Sequence, residues 1–114
     1  MYLKEVRDIL EAEVLCGEEL LDAEVLSACG SDFMSDVLAF VKDQSMLLTG
    51  LINPQVIRTA EMMNMKCIIF VRGKRPDADT LALAIKRGLV VMTTTLPMYH
   101  ACGKLYASGL QGKA

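Results

Sequence analysis

The run Cys67-Ile68-Ile69-Phe70-Val71 places five apolar residues in succession. A strand with one wet face alternates apolar and polar side chains, so a run apolar on both alternating faces fits a strand covered on both sides, as at the centre of a parallel sheet. Neighbouring parallel strands need a crossover between them, and the sequence around this run alternates in the way βα units do. Met46 to Thr49 reads as a buried strand. Asn53 and Pro54 read as the cap and first-turn residue of a helix whose apolar face is Val56, Ile57, Ala60 and Met63. Lys66 to Val71 is the clearest strand. Asp77 to Arg87 reads as a helix stopped by Gly88, Leu89 to Met92 as the last strand, and Pro97 opens a helix with Met98, Ala101, Cys102 and Leu105 inward, followed by Gly109.

The first third is less regular. Leu3, Val6, Ile9 and Leu10 recur at helical spacing, which predicts a helix over 2–11 with an acidic outer face. Glu13 to Cys16 and Glu24 to Cys29 are short apolar runs, both compatible with strands, and Glu18 to Leu26 has room for a helical turn. Ser31 is expected to cap a helix from about 32 to 42, since Met34, Val37, Leu38 and Val41 follow at the right intervals. The expectation is a single α/β domain over residues 1–114: a largely parallel sheet of about five strands with flanking helices. Strand order is not readable at this level.

With 53% apolar residues and only 5% aromatic, the core must be built from Leu, Val, Ile, Met and Ala. No apolar run reaches the ~18–20 residues of a membrane span, and Lys4, Glu5, Arg7 and Asp8 occupy the place of a secretory apolar stretch, so a cytoplasmic location is expected. Cys16, Cys29, Cys67 and Cys102 stand singly and His100 is the one histidine, a usage of buried thiols under reducing conditions rather than of disulfides or zinc ligands. The net charge of −2 hides an asymmetry. Residues 1–43 carry eleven acidic and three basic side chains, residues 44–114 three acidic and nine basic. Either the two parts attract each other within the fold, or both are simply solvated. A nucleic-acid binder would be basic overall with exposed aromatics to stack on bases, and a composition of this kind points away from one.

Ligands of open α/β sheets gather at the loops that leave the carboxyl ends of the strands. Three such loops carry candidate residues. Thr49-Gly50-Leu51-Ile52-Asn53 offers a hydroxyl, a flexible glycine and a capping amide, and equally fits a plain strand-to-helix turn. Arg72-Gly73-Lys74-Arg75 places three cations around one glycine, suited to a phosphate or carboxylate, or to contact with the acidic first part of the chain. Thr93-Thr94-Thr95 adds hydroxyls before the last helix, though threonines also end strands and cap helices. Together Thr49, Gly50, Asn53, Arg72, Gly73, Lys74, Arg75, Thr93, Thr94 and Thr95 outline a rim for an anionic metabolite such as an adenine nucleotide. None is a formal phosphate loop or dinucleotide fingerprint.

Catalytic groups are not evident. His100 and Cys102, two apart on a helix, point in different directions and make no nucleophile–base pair. Asp77 and Asp79 would suit a magnesium ion beside a phosphate, but stabilisation of a helix start explains them as well. The eight methionines read as adaptable core fill or contact surface.

The order of Ser31-Asp32-Phe33-Met34-Ser35-Asp36, Leu47-Leu48-Thr49-Gly50, Ile68 to Pro76 and Val90 to Thr95, followed by a closing helix, resembles the DRTGG domain over roughly residues 25–110. That family is similar to the N-terminal domain of HPr kinase/phosphorylase, and related copies occur in phosphotransacetylases and between CBS domains of regulatory proteins. The literal DRTGG string is absent: Thr49-Gly50-Leu51-Ile52-Asn53 stands where many relatives have a Gly-Asp-Arg type turn, and Arg72-Gly73 where many have Thr-Gly-Gly. The resemblance implies an α/β fold, a non-catalytic regulatory or sensory role without a cofactor, and a homodimer. Kinase activity does not carry over, because the phosphate loop of that enzyme lies in another domain. Stand-alone copies resemble proteins of iron-only hydrogenase systems, which implies the alternative of a dimerising module that docks on a metabolic enzyme and binds no small molecule.

Overall fold

A computed structural model of the chain describes residues 1–40 and 45–111. The elements follow in the order α1 (Leu3–Leu10), β1 (Glu13–Cys16), a short 3-10 helix (Glu18–Leu20), β2 (Ser27–Gly30), α2 (Met34–Phe40), β3 (Ser45–Thr49), α3 (Pro54–Met62), β4 (Cys67–Phe70), α4 (Ala78–Lys86), β5 (Val90–Thr93) and α5 (Met98–Ala107). They build one five-stranded sheet in the order β1-β5-β4-β3-β2, parallel from β2 to β5, with β1 antiparallel on the outer side of β5. The apolar run at 67–71 lies in the central strand, and all four residues of β4 are buried.

The strand order fixes which helices cover which face. β2, β3, β4 and β5 are added in sequence across the sheet, and right-handed crossovers that always step the same way put their helices on the same side. Accordingly α2, α3 and α4 share one core with Leu47, Ile68, Phe70 and Val91. The alternate residues Met46, Leu48, Cys67, Ile69, Val90 and Met92 face the other way, where α1 supplies Leu3, Val6 and Leu10 and α5 supplies Ala101 and Leu105. The period-2 alternation of side chains along each strand thus divides one apolar sequence between two cores.

Local signals account for most element ends. Asn53 caps α3 by accepting from the Gln55 amide at 3.0 Å, and Pro54 opens the helix. Asp77 caps α4 through the Thr80 amide at 2.8 Å, which also holds its carboxyl below the usual range, and Gly88 follows in a left-handed conformation (φ 72°). Pro97 is the N-cap of α5.

Three expectations shift. Ser31 does not cap α2: its hydroxyl accepts from the Phe33 amide at 3.0 Å, and Phe33 sits at the helix start, its carbonyl accepting from Asp36 and Val37. The turn between them carries Asp32, whose carboxylate accepts from the Gly50 amide of the neighbouring loop. The strand expected from Glu24 begins at Ser27, because Glu24 makes an isolated bridge to Tyr2 and pairing with β3 starts at Ser27. The last strand runs one residue further than expected, to Thr93, which pairs with Phe70. The end of the helix expected at 32–42, including Val41, lies outside the described residues. Among the described residues no helix is long and apolar enough to cross a membrane.

Phe70 is fully buried in the central strand and belongs to the core on the α2–α4 side. Phe70→Ala is expected to lower unfolding stability by about 3–5 kcal/mol, measured by denaturant titration with the slope of the transition unchanged.

Candidate functional site

The carboxyl ends of β2, β3, β4 and β5 bring two charged clusters to one rim. At the first, Asp32 reaches from the turn after β2 to the turn after β3. Its Oδ1 accepts from the Gly50 amide at 2.7 Å and from the Thr49 hydroxyl at 3.2 Å, while the same hydroxyl accepts from the Leu51 amide at 3.1 Å. Arg72, just past β4, places Nη2 3.8 Å from Asp32 Oδ2. It occupies the left-handed region at φ 58°, unusual for a side chain of its size, with its amide donating to the Leu96 carbonyl at 2.9 Å. A Cβ on Gly50 would overlap the Arg72 guanidinium where it now lies, and that flexible side-chain end would have to move aside. The guanidinium therefore lies across the Gly50 backbone, half exposed at 51% and loosely paired.

The second cluster lies between β5 and the segment that leads from α1 into β1. Arg75 forms a two-point pair with Glu13, at 2.5 Å and 3.3 Å. The hydrogen bond and charge of Arg75 hold the Glu13 carboxyl below its ordinary range, and Glu13 in turn raises Arg75. Gly73, also left-handed at φ 70°, donates from its amide to the Thr94 carbonyl at 2.8 Å. Glu11, Glu13, Arg75, Gly73 and Thr93 to Thr95 enclose a cleft of about 230 Å³. This is below the ~300–1,000 Å³ of sites that engulf a whole small molecule, so it has room for one group of a ligand.

The ten residues read from the sequence divide accordingly. Thr49, Gly50 and Arg72 meet through Asp32, and Gly73, Arg75, Thr93, Thr94 and Thr95 line the cleft. Asn53 does not join them, because its side chain is spent on the cap of α3. Lys74 is exposed and contributes its carbonyl, which accepts from the Thr93 hydroxyl at 2.7 Å. The threonines are less available than their composition suggests. The Thr94 hydroxyl donates to the Leu10 carbonyl at 2.8 Å, tying the rim to α1, and Thr93 is committed to Lys74. Thr95 is the exposed one of the three.

Sequence reading missed Asp32 and Glu13 as site residues. The signal for both was the uneven charge distribution: each arginine is met by a carboxylate from the acidic first part of the chain.

Reactive groups elsewhere stand apart. His100 is exposed on α5, edge-on to Tyr99 with ring centroids 6.0 Å apart. Cys102, on the same helix, is half-buried, and burial raises its thiol pKa. Cys29 is pushed up to about 11 by burial, and Cys67, wholly enclosed, is raised further, which keeps these thiols protonated and weakly nucleophilic. Among the described residues no group of three or more potential metal ligands is present.

These features define an α/β domain, parallel but for one edge strand and covered on both faces, with a charged rim. The model of the DRTGG domain matches residues 5–107, and the chain belongs to that family. No curated protein sequence matches it. Among solved structures, it is similar to the CBS and DRTGG domains of the regulatory region of Clostridium perfringens pyrophosphatase, crystallised in complex with the activator diadenosine tetraphosphate. The TM-score is 0.72 at 18% identity, with 91% of this chain and 45% of that chain covered, so the likeness is one of fold and this chain spans less than half of that structure.

The Glu13–Arg75 pair carries a test in solution. Because the carboxyl is depressed in the folded state, whatever stability the pair contributes is present above the ordinary glutamate range and lost as pH falls through the depressed value. Carboxyl NMR titration should find Glu13 low in the parent protein and back in the ordinary range in Arg75→Ala.

Proposed function

We propose that this chain is a non-catalytic regulatory domain of the cytoplasm, and that its rim binds an anionic metabolite, an adenine nucleotide being the favoured class. The observation that carries this reading is the placement of Arg72. Its guanidinium lies over Gly50, is half exposed to solvent, and among the described residues has one distant carboxylate partner, Asp32 at 3.8 Å. Planar guanidinium donors that are positioned but incompletely paired suit a phosphate, which they can grip at two points. Arg75 and Thr95 at the adjoining cleft offer a second contact, with the phosphate competing against Glu13 for Arg75. The fold-level likeness to a regulatory region complexed with diadenosine tetraphosphate supports the same ligand class. On this reading Thr49 and Gly50 shape the rim beneath the guanidinium, Gly73, Thr93 and Thr94 hold the cleft open, Lys74 adds a point charge, and Asn53 keeps a structural role.

Binding to the folded state must raise thermal stability. At 100 times the dissociation constant the gain is about 2.7 kcal/mol, a shift on the order of 10 °C for a domain near this size. A saturable rise with ATP, ADP, AMP or diadenosine tetraphosphate is expected for the parent protein, and its loss in an Arg72→Ala variant that keeps the parent's far-UV circular dichroism. A flat response to all four would overturn the reading. Glu13→Gln should tighten binding modestly by calorimetry, since it removes the carboxylate that competes with the ligand for Arg75.

A second reading has one observation in its favour. Tyr99 and Tyr106 project from α5 into solvent, as in a module that associates with itself or docks on a metabolic enzyme such as an iron-only hydrogenase system.

A further inference from the structure

We infer that Phe33 is the seat of the base, so that a nucleotide on the rim lies across the strands from β2 towards β5 with its phosphates at Arg72 and Arg75. The inference rests on the nucleotide reading above and adds to it an orientation and a residue that meets the aromatic part of the ligand. It starts from the way the rim changes along its length. The turns after β2 and β3 present Phe33, 70% exposed, and Ile52, 36% exposed, and neither side chain joins either core. The turns after β4 and β5 present Arg72, Lys74, Arg75 and Thr95 instead.

Charge sets the direction. The β2–β3 end holds two carboxylates, Asp32 and Asp36, the latter three residues on from Phe33 in the first turn of α2. Among the described residues, neither of its turns nor α2 carries a cation, and Asp32 is met from β4 by Arg72 at 3.8 Å. The β4–β5 end has acids too, but they stand among three cations: Glu13 is paired with Arg75, Asp77 caps α4 with Asp79 behind it, and Glu11 borders the cleft. A phosphate is therefore repelled from the Phe33 end and attracted to the other, whereas an uncharged ring is tolerated beside Asp32 and Asp36.

Phe33 is held as a fixed platform. Its amide donates to the Ser31 hydroxyl at 3.0 Å, and its carbonyl accepts from that hydroxyl at 3.2 Å and from the Asp36 and Val37 amides at 3.1 Å and 3.3 Å. With the backbone fixed, only the two side-chain torsions remain to be ordered when a ring stacks on it, which keeps the entropic cost of stacking small. The dimensions agree with the proposed direction. In the order β2-β3-β4-β5, β4 lies two strand spacings from β2 and β5 three, roughly 10 and 14 Å. A base on Phe33 thus leaves the ribose to cross the Asp32–Gly50 contact and the phosphates to reach first Arg72 and then Arg75.

Calorimetric titration of the full chain with ATP and with inorganic tripolyphosphate separates base from phosphate. The parent protein is expected to bind ATP more tightly than tripolyphosphate. Phe33→Ala should weaken ATP at least about fivefold, the low end of what loss of one base–aromatic stack costs, while tripolyphosphate stays within about twofold. The chain has no tryptophan, so Phe33→Trp places a single indole at the seat, and its fluorescence should be quenched saturably by ATP and not by tripolyphosphate. Should the alanine variant fail to fold, the tryptophan variant decides. Parent affinity for ATP in folded Phe33→Ala overturns the inference and leaves the rim reading standing, as does ATP bound to Phe33→Trp without quenching. Equal loss of ATP and tripolyphosphate in Phe33→Ala overturns it as well. A parent protein that binds neither overturns the rim reading, and the inference with it.

Discussion

Four parallel strands joined in spatial order by right-handed crossovers leave one face of their sheet bare, since every crossover helix falls on the same side. Here the strands are apolar on both sides, with Ile69 and Met92 as deeply buried as Ile68 and Val91, so a bare face could not persist in water. The molecule covers it with the two helices that are not crossovers, α1 before the parallel set and α5 after it. This requirement explains why the sheet ends in an antiparallel strand: the chain leaving α1 runs along the free edge of β5 before crossing to the far side to begin β2. It also places Leu10, at the end of α1, where its carbonyl meets the Thr94 hydroxyl at the rim.

Much of this architecture was legible because strong local signals agreed with the global fold. The double-sided run at Cys67–Phe70, the Asn53-Pro54 start, the Asp77 cap and Gly88 stop, and Pro97 before α5 each has one dominant physical meaning. What stayed hidden depends on direction and partner. Val14, Leu15 and Cys16 are as apolar in an antiparallel edge as in a parallel one, so nothing in them announced pairing with β5. Ser31 looked like a cap because sequence alone does not reveal that Asp32, the next residue, bonds to the Gly50 amide. The threonine run showed three hydroxyls and not their destinations, two of which are backbone carbonyls. Composition lists donors; only the fold says which remain available.

The rim illustrates how a protein can keep cations at a ligand edge without a strongly basic surface. Arg72 and Arg75 are each balanced by a carboxylate brought from the acidic first third, one loosely and one at two points. An exposed, loosely paired guanidinium exchanges partners at little cost, whereas a two-point pair must first be opened. The two arginines thus differ in readiness, and that difference lies in the acids around them rather than in the arginines themselves.

The pairing of β1 with β5 has a further consequence for how the domain comes into being. The hydrogen bond from Thr94 to Leu10 spans 84 residues, and the edge of the sheet cannot close until both partners exist. Contacts of such long range raise the entropic cost of reaching the folded state and slow folding. As the chain emerges during synthesis, α1 and β1 must wait, their apolar sides unmatched, while the βα units assemble one after another. That early segment carries Glu5, Asp8, Glu11 and Glu13 beside Lys4 and Arg7, so charged residues interrupt its apolar side through the interval, as gatekeepers against aggregation do.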